Sequence, residues 1–152
     1  MTRAFVLLTL ALGACAPLDD SETGDTSDSE TLVVCGEVGT VCATLLVPSD
    51  YAGIPVSVAV AFYDVLPPVG PPTVIVGTVE DPEIGVAEPL DLEMNGMEDE
   101  EGQLLPYVAL FNEGGGTYMP VPGVDYIWEG TEAVDVGGGV ELGELTLELL
   151  LD

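Results

Sequence analysis

The sequence predicts an all-β fold: a single antiparallel β-sandwich of about seven strands over residues 32–152. Three observations predict it. Apolar residues alternate with polar ones at a period of two rather than recurring at helical spacing. Valine is frequent, and glycine or proline interrupts the chain every ten residues or so. Eleven prolines between Pro48 and Pro122 then leave no stretch in which a long helix could form.

The strands follow in order. Val41 to Val47 is the first apolar run. Val56, Val58, Val60 and Phe62 then fall on one face of a second strand, with Ser57, Ala59, Ala61 and Tyr63 on the other. Thr73 to Val79 makes a third, and Leu90, Leu92 and Met94 alternate with Asp91 and Glu93 in a fourth. Tyr107 to Phe111 and a stretch between Asp125 and Val136 continue the series. Leu145, Leu147 and Leu149 alternate with Thr146 and Glu148 in a closing half-buried strand. A domain of this length is large enough for a real core, with Trp128 expected inside it.

Charge narrows the function. The chain has 28 acidic residues, no histidine, and Arg3 as its one basic side chain. Phosphate contacts need lysine or arginine in quantity, so no nucleic acid partner is expected. Anionic headgroups would repel the domain for the same reason. Like charges at this density lower stability at low ionic strength, so the fold should gain stability as salt screens them. Without His or Lys, the usual bases that activate a serine, threonine or cysteine nucleophile are missing, so the chain is not expected to be an enzyme. Gly114-Gly115-Gly116 and Gly137-Gly138-Gly139 lie between strand-like segments and read as turns rather than phosphate cradles. Paired carboxylates could still cleave glycosides, but where acids are this abundant their proximity says little, and no acid stands out as isolated in an apolar run.

Two further constellations have a chemical reading. Glu98, Asp99, Glu100 and Glu101 form the densest acidic cluster of the predicted domain, in a connection between strands. Oxygen-rich loops of this kind suit calcium, and also serve as solvated loops that protect a sheet edge. No other cofactor is indicated. Tyr107, Phe111, Tyr118, Tyr126 and Trp128 gather in the last third of the chain, as a sandwich core or as a contact for a protein or glycan.

The N-terminus gives an address. Arg3 starts a short segment whose apolar stretch, Ala4 to Leu12, is too short to span a bilayer and is followed by Gly13 and Ala14. Leu12-Gly13-Ala14-Cys15 resembles the lipobox of bacterial lipoproteins. That resemblance implies that residues 1–14 are a removed signal peptide and that Cys15 carries lipid. It also implies export to the cell envelope, with the anchor as the sole membrane contact; Ala16 after the cysteine points to the outer membrane. Residues 15–31 then form an acidic Asp/Ser/Thr tether without apolar residues after Leu18, expected to be disordered. With Cys15 modified, Cys35 and Cys42 are left as an even pair in an oxidising setting, and a disulfide is expected.

The order of pieces resembles transthyretin-like (prealbumin-type) sandwich modules of secreted bacterial proteins. Val60-Ala61-Phe62-Tyr63-Asp64, Pro67-Pro68-Val69-Gly70-Pro71-Pro72, Pro122 to Trp128 and Val134 to Leu149 carry it. An immunoglobulin-like sandwich is the second fit to the same pattern. The expected role is a non-catalytic accessory or binding module, with calcium- or carbohydrate-dependent recognition as the alternative and carboxylate-dependent glycan hydrolysis as a further one.

Overall fold

A computed structural model describes residues 34–97 and 99–152. Among them the chain forms nine strands and no helix. They are β1 (Thr40–Leu46), β2 (Pro55–Tyr63), β3 (Val74–Glu80), β4 (Leu90–Asn95), β5 (Gln103–Asn112), β6 (Tyr126–Glu129), β7 (Val134–Asp135), β8 (Val140–Thr146) and β9 (Glu148–Leu149). Seven of these have four residues or more, and they pack as two sheets of a sandwich. The smaller sheet has the order β4-β1-β8. The larger runs β3-β2-β5-β6-β9, with β7 also paired to β5.

The core follows from alternation. Val41 and Leu45 of β1, Val58, Val60 and Phe62 of β2, Leu92 and Met94 of β4, and Val108 and Leu110 of β5 point between the sheets and are buried. Tyr126 is buried with them, and Trp128 packs against this core half-buried. The central strand β5 is buried on both sides. Its other face carries Tyr107, Ala109 and Phe111, packed with Ala59, Tyr63, Leu66 and Ile127. A strand enclosed on both faces reads as a near-continuous apolar run, which Leu104 to Phe111 is.

Pro106 sits inside this central strand, where a missing N–H would normally break a ladder. The break is accommodated because β6 pairs with Tyr107 to Leu110 and β7 with Gln103 and Leu104, leaving a gap opposite the proline. In that gap the Gly130 N–H donates to the Pro106 carbonyl at 2.8 Å.

Three details depart from simple alternation. Val56 is exposed and Ser57 buried, because the β2–β5 register shifts between Pro55 and Ser57. That shift turns Val56 away from the face it shares in the sequence pattern with Val58. The strand expected over Leu145 to Leu149 is two strands. Thr146 still pairs with β1, the Leu147 N–H donates to the Leu46 carbonyl at 2.8 Å, and Glu148 and Leu149 pair with β6 of the other sheet. Fully buried Leu147 is thus the point where the chain crosses between sheets. Finally, β1 and β8 pair in parallel within an otherwise antiparallel pattern.

Cys35 and Cys42 are bonded, with Cα atoms 5.8 Å apart. The bond closes a turn in which the Glu37 carbonyl accepts from the Thr40 N–H and from Thr40 Oγ1 at 2.7 Å. Cross-linking a loop this short restrains the unfolded chain by about 2–3 kcal/mol. The Cys35→Ala/Cys42→Ala double variant is therefore expected to lose that amount in urea unfolding. An unchanged midpoint would show that the turn is held by its hydrogen bonds alone.

Candidate functional site

The connection between β5 and β6 is where the chain invests most local structure. Asp125, the residue before β6, is fully buried. Its Oδ1 accepts from the Asn112 N–H at 2.8 Å, and its Oδ2 accepts from the Gly116 and Val121 N–H groups, each at 2.7 Å. One carboxylate thereby ties together the start, middle and end of the 113–124 loop. Charge-assisted bonds of this kind are the strong ones, and they satisfy a charge that burial would otherwise penalise.

The loop's glycines are fitted to that carboxylate. A Cβ on Gly115 would collide with Asp125 Oδ1, and one on Gly116 with the Met119 carbonyl. Asn112 completes the frame: its Nδ2 donates to the Val124 carbonyl at 2.9 Å, and its Oδ1 accepts from the Tyr51 hydroxyl at 2.6 Å. Tyr51 stacks edge-on against Tyr126, with ring centroids 5.0 Å apart.

This fixed loop displays apolar side chains to solvent. Tyr118 is 93% exposed and Met119 69%. The C-terminal segment runs alongside: the Gly123 N–H donates to the Leu150 carbonyl and the Leu150 N–H to the Asp125 carbonyl. It adds exposed Leu149 and Leu151. Tyr118 and Met119 thus stand out on a loop anchored on either side of them, at Gly116 and Val121.

The tyrosines predict a pH dependence. Burial pushes the Tyr51 phenol up to about 12, with Tyr126 adding to the shift. Burial likewise raises Tyr107, beside Glu129, and Tyr63, whose ring meets that of Tyr107 edge-on at 5.5 Å. In the unfolded chain these phenols ionise near 10. The stability they contribute is thus intact below that pH and is lost as pH rises through the folded values. Phenolate absorbance is expected to show Tyr51, Tyr63 and Tyr107 ionising late and together with loss of the β-sheet circular dichroism signal. Early ionisation of these three phenols with the sheet intact would contradict this.

The other sequence-level candidates lie elsewhere. Asp99, Glu100 and Glu101 are exposed in the β4–β5 connection, and Glu98 lies outside the described residues. Among the described residues no group of three or more acidic, thiol or imidazole side chains has the spacing to hold a metal ion. Cys15 and the residues 1–31 assigned to signal peptide and tether also lie outside the described residues. A groove of about 280 Å³ crosses the outer face of the smaller sheet, lined by the disulfide, Thr44, Asp91, Glu93 and Glu141. Thr44 Oγ1 donates to Asp91 Oδ1 there at 2.7 Å. The three carboxylates are exposed to water, and the groove holds no desolvated carboxyl of the kind glycoside cleavage uses as its acid.

The expectation that no acid stands isolated in an apolar run fails at Asp125, which is fully buried. The local signal is Val124-Asp125-Tyr126-Ile127-Trp128, one carboxylate among four apolar neighbours, directly after a loop rich in glycine and proline. Comparison of the chain with protein-family models, curated proteins and solved structures finds no match.

Proposed function

We propose that this chain is an envelope lipoprotein, anchored through Cys15, that presents a small non-catalytic β-sandwich as a binding module. The observation that carries the binding role is the 113–124 loop: a buried carboxylate fixes its backbone while Tyr118 and Met119 project into solvent. Interface cores are enriched in tyrosine and methionine and depleted of charge. Apolar groups exposed side by side on an anchored loop make sense when something else is to bury them. The anchoring half rests on the Leu12-Gly13-Ala14-Cys15 motif, and two or more acyl chains give the stable attachment that one cannot.

The test uses the full chain in cells. The parent is expected in the membrane fraction and Cys15→Ser in the soluble one. A photo-crosslinking residue at position 118 is expected to give a discrete adduct. Identical fractionation of the two proteins would remove the anchor from this reading. Adducts from exposed position 78 on the larger sheet, with none from 118, would move binding off the loop.

A further inference from the structure

The charge pattern around the loop specifies what it contacts. From Gly114 to Val124 there is no ionisable side chain except Tyr118, an uncharged window in a chain with 28 acids. Its borders are acidic: Glu113 leads into it, and Glu148 and Asp152 flank the exposed Leu149 and Leu151 of the segment beside it. The described residues include no basic side chain at all. An apolar centre with a wholly anionic rim favours a partner with apolar side chains framed by cations. A second copy of this chain would bring carboxylates against carboxylates. A glycan fits less well, since sugar recognition needs polar side chains beside the aromatic ring, and the window offers the Thr117 hydroxyl alone besides Tyr118.

We propose that the Gly114–Val124 loop docks a cationic protein segment in which aromatic or aliphatic residues are flanked by lysine or arginine. Tyr118 and Met119 bury against the apolar residues of that segment, and Glu113, Glu148 and Asp152 face its positive charges. The proposal rests on the binding-module reading and names the partner class for the same loop.

The probe is a library of random linear peptides displayed on phage, selected against the full chain. Selected peptides are expected to pair lysine or arginine with aromatic or aliphatic residues. Their affinity is expected to fall about tenfold against Tyr118→Ser/Met119→Ser, and to fall further as salt is raised. Both altered side chains are solvent-exposed, and circular dichroism verifies that the variant is folded. Enrichment of acidic or neutral peptides, or no enrichment, overturns the proposal. Cationic peptides that bind the variant as tightly as the parent also overturn it, while leaving a binding module with its site elsewhere. Neutral oligosaccharides and sedimentation of the chain alone are run in parallel. Saccharide binding or dimerisation abolished by the same substitutions replaces the cationic partner with a glycan or a second copy.

Discussion

Asp125→Ala is expected to cost about 3–5 kcal/mol of stability, as large an effect as any single polar substitution in this chain should produce. The carboxylate is fully buried and is the acceptor for three backbone N–H groups, those of Asn112, Gly116 and Val121. Alanine removes all three hydrogen bonds at once and leaves three donors with no partner, each costing about 1–3 kcal/mol if it stays out of water. The loop will open to hydrate some of them, which limits the total and couples the loss to disorder at 113–124. Asp125→Asn keeps the volume and one oxygen but turns an NH2 group toward N–H donors, so an intermediate loss of about 2 kcal/mol is expected. Urea unfolding of the two variants checks the order. A loss below about 1 kcal/mol for alanine would mean that the loop holds its shape without the carboxylate.

Phe62→Ala is expected to be comparably severe, at about 3–5 kcal/mol. The ring is fully buried between the sheets, on a strand paired at that point with Val74 on one side and Pro106 on the other. Truncation leaves a void that this close-packed centre can only partly fill. Val56→Ala is the internal control. Val56 lies on the same face as Phe62 by simple alternation, yet is 40% exposed. Its substitution should change stability by no more than about 0.5 kcal/mol. Equal losses at the two positions would mean that the register shift at the start of β2 is absent.

That pair of residues also shows where sequence reading works and where it stops. Alternation locates the strands because a residue facing the core must be apolar whichever strand lies opposite. It cannot locate the shift that separates Val56 from Val58, because a bulge is set by the partner strand and leaves no mark in β2 itself. Leu145, Leu147 and Leu149 look like one strand for a related reason. Leu147 is interior at the crossing, so the pattern continues while the pairing partner changes from β1 to β6. The Cys35–Cys42 bond was readable, since parity and a short glycine-containing spacing left few options. Of the candidate loop, the sequence marks Tyr118 only as one of several clustered aromatics. What sets it apart from Tyr107 and Tyr126, namely exposure on a loop that Asp125 anchors at Gly116 and Val121, depends on contacts that no local pattern encodes.

The parallel pairing of β1 with β8 has a consequence for the order of assembly. Val41 finds its partner in Val140, about a hundred positions later, and the other neighbour of β1, β4, is itself about fifty positions away. Neither flank of the first strand can be satisfied by a nearby hairpin. The smaller sheet is therefore closed only once β8 has been made, and so many distant pairings place the domain among slow, high-contact-order folders. A chain that stops before Val140 would leave β1 with one open side and β6 without its outer neighbour β9. It would be an unclosed intermediate rather than a smaller domain, so the fold is committed only when β8 and β9 are both available.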